Sequence, residues 1–147
     1  ANITLSKLNV DDLEACIEHI VRDMPRFKAI SVNFEIPYPG VEAHTLDYPQ
    51  RVQAVERIIA LRQKGYPIMN SAVALRLMLK PNWNTTHWLI SLAHPNGMVV
   101  EGCGARNLDP KICEYCGYGV MAEVQAIWRG NPRAITEAFR LFSVING

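Results

Sequence analysis

Three of the four cysteines lie in one short stretch, GCGARNLDPKICEYCGYG, which spans residues 102–119. They are Cys103, Cys113 and Cys116, and the last two form a C-x2-C pair. A tight turn brings the thiols of such a pair together, and the glycines beside it allow the backbone to wrap closely around an ion or a cluster. In a reducing compartment this clustering is typical of a metal site. The alternative is three reduced cysteines that bind nothing.

Three cysteines leave the metal and its fourth ligand open. Zinc binds four ligands in a tetrahedron, so a Cys3His site would also need His87 or His94. An iron–sulfur cluster binds mainly cysteine as well, and its fourth iron can bind another residue or stay open. A lone histidine near an aromatic strand is more often hydrogen-bonded in place than a metal ligand, so the sequence secures neither histidine.

Polar side chains on predicted strands form a second candidate site. The clearest strand, KAISVNFEI, alternates apolar residues with polar ones that include Asn33 and Glu35, and a third short strand, YPIMNS, contains Asn70. Parallel strands are usually apolar on both faces. A polar face therefore suits a barrel interior or a sheet crevice that holds a polar ligand. A merely solvated face of an open sheet is the other interpretation.

The first half of the chain predicts three strands that alternate with three helices. The strand ITLSKL precedes a helix whose apolar stripe runs from Leu13 to Met24, and Asp47 is the predicted N-cap of a second helix that stops at Gly65. Ser71 opens the third helix. This alternation predicts right-handed crossover units in a parallel sheet.

The pattern changes from residue 81 onward. The segment WLISLAHPNGMVVEGC alternates on both sides of an Asn-Gly turn, which predicts a β-hairpin before the cysteine loop. Two helices are expected to follow, the last with Asn131 as its N-cap and with Phe139 and Phe142 buried. We therefore divide the chain into residues 1–80, a βα region, and residues 81–147, which hold the hairpin, the cysteine loop and the helices.

Composition narrows the classes of partner. The 147 residues have the length of one domain, with 49% hydrophobic and 20% charged residues, as in a soluble globular protein. Fifteen basic against fourteen acidic side chains give no field of one sign, so neither nucleic acid nor an anionic membrane is expected as a partner. With no spanning segment and no signal-peptide pattern, we expect a cytoplasmic protein. Because the sequence starts without Met, we expect that a preceding segment has been removed.

The order of several phrases resembles the C-terminal part of radical S-adenosylmethionine (radical SAM) enzymes with an auxiliary-cluster, SPASM-like extension. The phrases are TLSKLNVDDLEACIEHI, ISVNFEIPYPGVE, QRVQAVERIIALRQKGYPIMNS, HPNGMVVEGC and CEYCGYG. In that family a partial βα barrel binds a [4Fe-4S] cluster through a CxxxCxxC loop, and the cluster cleaves S-adenosylmethionine to a radical. This sequence has no CxxxCxxC. The chain alone is therefore expected to be inactive in that cleavage.

The resemblance implies an α/β fold with the C-terminal half of an incomplete, TIM-like barrel in residues 1–80 and an auxiliary iron–sulfur site in residues 81–147. Asn33, Glu35 and Asn70 would face the substrate or cofactor at the carboxyl ends of the strands. Cys103, Cys113 and Cys116 would bind the cluster, expected to be [4Fe-4S]. Many relatives have another cysteine where this chain reads WNTTHW, which makes His87 a possible substitute or leaves an open iron.

Three functions follow from these observations. The first is a fragment or subunit of a radical SAM enzyme that supplies part of the cavity for a small-molecule substrate. It would bind S-adenosylmethionine only together with the missing N-terminal barrel half. Its short sheet would have exposed edges, so we expect a partner subunit or a homo-oligomer. The second is a non-enzymatic binding module stabilised by zinc in a Cys3His site. The third is a stand-alone α/β protein that has lost its metal and binds a small polar molecule.

Overall fold

The computed structural model describes residues 1–38 and 40–146, and it describes the side chains of these residues except Leu92, Asn107 and residues 141–146. Strands and helices alternate in the first half, and a hairpin and three helices follow. In chain order they are β1 (Asn2–Leu5), α1 (Leu13–Asp23), β2 (Ser31–Phe34), α2 (Tyr48–Gln63), α3 (Ala72–Leu77), β3 (Ser91–Ala93), β4 (Val99–Glu101), α4 (Gly104–Leu108), α5 (Gly119–Trp128) and α6 (Pro132–Asn146).

A short parallel sheet lies at the centre of the first half. β1 pairs with β2 in parallel, from Asn2 opposite Ser31 to Leu5 opposite Phe34. Successive backbone groups of a strand point to opposite edges of the sheet, so residues 31, 33 and 35 face β1 while residues 30, 32 and 34 face the other edge. β2 therefore lies inside the sheet, and its second edge needs other partners.

The predicted third strand supplies those partners only in part. The N–H of Ile30 donates to Pro67 O over 2.8 Å, and the N–H of Met69 donates to Ile30 O over 2.9 Å. Two residues further along, the side-chain amide of Asn70 replaces the backbone. Its Oδ1 accepts from the N–H of Val32 over 2.7 Å, and its Nδ2 donates to Val32 O over 3.0 Å. The YPIMNS segment thus forms a single parallel bridge rather than a full strand.

The long helix α2 begins as the sequence predicts. Asp47 accepts from the N–H of Gln50, and the Gln50 side chain accepts from the N–H of Asp47, which together form a capping box. The helix ends before Gly65, which has a φ of +94°. The two central strands and the inner faces of the helices build one apolar core, whose largest fully buried side chains include Leu5, Leu13, Ile17, Ile30, Phe34, Ile58, Leu75, Met78 and Trp83.

The predicted hairpin and last helix are both present. β3 and β4 pair in antiparallel fashion around a turn in which Gly97 has a φ of +82°. Asn131 caps α6, since its Oδ1 accepts from the N–H groups of Arg133 and Ala134. α6 packs against α5 and α3.

Two expectations about buried faces are wrong. Phe139 is 73% exposed, because α6 turns Ala134 and not Phe139 inward, and its Glu137 lies 2.9 Å from the guanidinium of Arg62. The side chain of Phe142 lies outside the described residues. In α1 the stripe is buried at Leu13, Ile17 and Ile20, whereas Val21 and Met24 are about 40% exposed. The spacing predicted both helices, but it also assigned exposed apolar residues to the buried face of each.

The order of strands and helices in the first half agrees with βα repeats, but the incomplete TIM-like barrel stays a prediction, since a sheet of this size does not define closure. The division of the chain into residues 1–80 and 81–147 also stays a prediction. Among the described residues, no helix combines the length and the apolar character needed to cross a membrane.

Candidate metal centre

The three predicted metal-ligand cysteines lie on three successive pieces of the C-terminal half. Cys103 directly precedes α4, Cys113 ends a 3-10 turn (Pro110–Cys113), and Cys116 lies in the loop before α5. Cys113 and Cys116 are buried, and Cys103 is half-buried. Asp109 starts the 3-10 turn by accepting from the N–H of Lys111, so a local polar cap fixes where Cys113 falls.

The thiols lie close enough to interact electrostatically. Burial raises the pKa of Cys113, and negative charge on Cys116 and Cys103 raises it further, against a hydrogen bond from Arg106 that lowers it. Burial also raises the pKa of Cys116, with a smaller contribution from Cys103. Three thiolates at this spacing would repel one another unless a cation or a cationic cluster core lay among them. The three cysteines that the sequence selected thus lie within electrostatic range of one another, and their role as metal ligands stays a prediction.

Segment 83–86 covers Cys116. The indole N–H of Trp83 donates to Cys116 O over 2.9 Å, and Asn84 Nδ2 lies 3.6 Å from Cys116 Sγ. Both side chains are buried. An amide N–H directed at a cysteine sulfur favours the thiolate form, because it stabilises negative charge on the sulfur. This segment begins the WNTTHW phrase of residues 83–88, in which the sequence offered only His87 as a ligand.

The cysteine loop is fixed against the carboxyl end of β2. The N–H of Phe34 donates to Gly117 O over 2.9 Å, and the N–H of Gly119 donates to Asn33 Oδ1 over 2.7 Å. A Cβ on Gly117 would lie 2.1 Å from Phe34 O, and one on Gly119 would lie 2.6 Å from Val32 O. Only glycine permits this approach, so the two glycines serve docking of the loop onto the sheet.

The segment after β2 completes the surroundings of the thiols. Burial raises the pKa of Tyr38, and the charges of Cys103, Cys116, Cys113 and Glu35 raise it further. The phenol of Tyr38 is thus within electrostatic range of all three cysteines. Ligand sites of open α/β sheets and barrels lie at the carboxyl ends of the strands, and the cysteines lie at that end of β2.

A buried arginine of α2 connects the same region to the helix layer. Arg51 is 5% exposed, its Nη1 donates to Tyr115 O over 2.7 Å, and its Cζ lies 4.8 Å from the ring centroid of Phe34. Burial lowers its pKa to about 10, while negative charge on Cys116 would raise it. Arg51 thus supplies positive charge beside the cysteine loop.

The two histidines differ in position. The backbone of His87 lies beside the cysteine stretch, since its carbonyl oxygen is 4.0 Å from the position that a Cβ on Gly102 would take. The buried Nδ1 of His87 has no hydrogen-bond partner among the described residues. His94 lies at the turn of the hairpin, where its N–H donates to Met98 O. The role of either histidine as a fourth ligand stays a prediction.

The described residues contain no preformed site for a single metal ion. Among residues 1–38 and 40–146, no group of three or more His, Cys, Asp or Glu side chains is arranged to hold a metal ion. A [4Fe-4S] cluster spaces its cysteine sulfurs more widely than a single ion does, because each sulfur binds a different iron. The iron–sulfur cluster and the zinc site therefore both stay predictions.

The predicted substrate-facing residues have different roles in the fold. Asn33 is buried, donates to Asn2 Oδ1 over 2.6 Å and accepts from the N–H of Gly119. Asn70 is 1% exposed and uses its amide on Val32. Glu35 is half-buried and lines a pocket beside Arg51. The substrate-facing role of the three residues stays a prediction, and Glu35 is the one with a carboxylate at an open surface.

Sequence reasoning missed Arg51, although a signal existed. Arg51 precedes Val55 by four residues and Ile58 by seven, which places a charged residue on the apolar stripe of α2. A charge on such a stripe is seldom fully buried without a partner. Asn84 and Tyr38 carried no comparable signal, because their roles depend on loops that meet only in the folded chain.

The chain has no match among protein-family models, curated proteins or solved structures.

Proposed function

We propose that this chain is the C-terminal portion or a subunit of a radical SAM-type iron–sulfur enzyme, in which Cys103, Cys113 and Cys116 bind an auxiliary cluster. The observation that supports the proposal most is that these three cysteines lie within electrostatic range of one another and of Tyr38, at the carboxyl end of β2. The bound cluster would contribute redox chemistry or substrate ligation beside the sheet. A reducing, cytoplasmic setting suits such a site, because the thiols must stay reduced.

The residues of the chain have distinct parts in this proposal. The three cysteines hold the cluster, and Asn84 and Arg51 place an N–H donor and a positive charge beside Cys116. Their effect would be to stabilise the negative charge of a thiolate-bound cluster. The segment that follows β2 forms part of the wall of the substrate cavity, and the remaining wall belongs to the N-terminal barrel half, a partner subunit or a second copy.

Anaerobic reconstitution with iron and sulfide tests the cluster. The expected result is a brown protein with about four irons and four sulfides per chain. Cys113→Ser and Cys116→Ser should each lower iron content strongly. The matched control is Cys16→Ser, which changes the fourth cysteine, on α1 and outside this loop. Equal iron content in all three variants would contradict the assignment.

A second assay tests the inactivity of the chain alone. Without CxxxCxxC, the reconstituted chain and a strong reductant should yield no 5′-deoxyadenosine from S-adenosylmethionine. Adding the preceding half of the barrel or the partner subunit should restore the yield. Formation of 5′-deoxyadenosine by the chain alone would refute this part of the proposal.

The second candidate function is a non-enzymatic binding module stabilised by zinc in a Cys3His site. It is favoured by the buried Nδ1 of His87, which has no hydrogen-bond partner among the described residues. A neutral imidazole nitrogen without such a partner can bind zinc. Metal analysis of the protein purified anaerobically separates the two candidates. Colourless protein with one zinc per chain that is lost in His87→Ala, but kept in His94→Ala, would support zinc over the cluster.

A further inference from the structure

A pocket of about 210 Å³ opens at the carboxyl end of β2, beside the start of α2. Its described walls include Glu35, Tyr48, Arg51 and Tyr115, and they include none of the three clustered cysteines. An apolar cavity of about 150 Å³ is large enough to bind benzene. The pocket therefore has room for a small organic molecule.

Arg51 lines this pocket and has an unpaired donor. Its side chain is buried, with Nη1 bonded to Tyr115 O, but its buried Nη2 has no hydrogen-bond partner among the described residues. An unsatisfied donor on a buried cation is unfavourable unless a ligand accepts from it. A carboxylate is the partner that matches a guanidinium best in charge and in geometry.

Glu35 places the opposite charge in the same pocket. Its carboxylate forms no hydrogen bond and no ion pair with any other described side chain, and it is not paired with Arg51. A pocket with a cation on one wall and an anion on another would repel part of any ligand that carried only one charge. A ligand with a carboxylate and an ammonium group would satisfy both walls.

We propose that the pocket between Glu35 and Arg51 binds a small zwitterion of the α-amino acid class, with its carboxylate on Arg51 and its ammonium group on Glu35. The rings of Tyr48 and Tyr115, whose centroids are 6.0 Å apart, line the same pocket and would contact the side chain of the ligand. This inference goes beyond the proposed function, since binding requires no metal.

The experiment uses three probes of similar shape on the full, metal-free chain. L-Phenylalanine carries both charges, 3-phenylpropanoate lacks the ammonium group, and 2-phenylethylamine lacks the carboxylate. Isothermal titration calorimetry should show tighter binding of L-phenylalanine than of either other probe. Equal or tighter binding of 3-phenylpropanoate, or no binding of L-phenylalanine at millimolar concentration, would overturn the proposal.

Two variants assign the charges. Arg51→Met should lower the affinity for L-phenylalanine roughly 10- to 100-fold, the loss expected for one charge-assisted hydrogen bond. Glu35→Gln should weaken the binding of L-phenylalanine. Its affinity for 3-phenylpropanoate should stay the same or increase. Because Arg51→Met also removes the hydrogen bond to Tyr115, circular dichroism must show that this variant is folded. If Arg51→Met does not fold, Glu35→Gln still decides the test, because it changes only a half-buried side chain. Unchanged affinity for L-phenylalanine in Glu35→Gln would overturn the proposal.

The metal-free state separates this inference from the cluster, because none of the three clustered cysteines is among the described walls of the pocket. The metal-free chain should bind L-phenylalanine even if reconstitution with iron fails. That result supports an amino acid site that is independent of the cluster. If L-phenylalanine bound only after reconstitution with iron and sulfide, the independent site would be overturned.

Discussion

Replacing Asn70 with alanine should destabilise the fold through the sheet and not through a lost ligand. The Asn70 amide is 1% exposed and makes both hydrogen bonds that Val32 would otherwise receive from a strand. Alanine would leave one buried N–H and one buried C=O without partners, and each such group costs about 1–3 kcal/mol. The expected loss is about 2–6 kcal/mol. Small domains have a total stability of about 5–15 kcal/mol, so the effect should be large.

Urea unfolding followed by circular dichroism measures this loss as a shift of the midpoint at constant slope. Asn96→Ala is the matched control, because Asn96 is exposed in the hairpin turn and only accepts from the N–H of Met98. The free energy of unfolding of Asn96→Ala should fall by no more than about 1 kcal/mol. The reasoning would be refuted if Asn70→Ala lost no more than Asn96→Ala. A nearly unchanged stability together with lost ligand binding would place Asn70 at a substrate, as the sequence predicted.

Two further predictions concern the elements around the site. Burial raises the pKa of Glu123, whose carboxylate accepts from the N–H of Ser71. Protonated Glu123 therefore stabilises the fold fully below the pKa that this carboxyl has in the unfolded chain, and the contribution is lost as the pH rises through its pKa in the folded chain. In Glu123→Gln, the decline of the urea midpoint between acid and neutral pH should be smaller. An unchanged dependence of the midpoint on pH would contradict this reasoning. Gly117→Ala should destabilise by about 1–3 kcal/mol or more, because its Cβ would lie 2.1 Å from Phe34 O, and it should also lower iron content. The control Gly65→Ala has open space and should show only its backbone strain, about 1–2 kcal/mol, with iron content unchanged; equal iron loss in both would refute a docking role for Gly117.

Local signals in the sequence were enough for most element boundaries. The capping box at Asp47, the turn at Gly97 and the cap at Asn131 each depend on residues within four positions of one another. Such interactions are readable from a single chain segment, because the side chain and the backbone group that it satisfies are neighbours in sequence. The three cysteines were selected for the same reason, through a short and recognisable spacing.

The face that each element buries was less predictable. Phe139 was expected inside and is exposed, while Ala134 on the same helix is fully buried. Hydrophobicity alone favours the larger side chain, but the close packing of α6 on α5 and α3 selects the smaller one. Asn33 and Asn70 carried polarity that suggested an open face, yet both amides are used inside the fold.

The sequence by itself determined the local elements, the balance of charge and the presence of a three-cysteine loop, because each depends on composition or on short-range spacing. Only the tertiary structure decided that this loop docks on β2 through Gly117 and that the backbone of His87 lies beside Gly102. It also decided that Arg51 is buried with a donor that no described residue accepts from. These features join segments that are 15 to more than 80 residues apart in the chain, as the bond between Gly119 and Asn33 shows with a separation of 86 residues. No local pattern encodes such a contact, because it exists only when the packing of the whole core brings the two segments together.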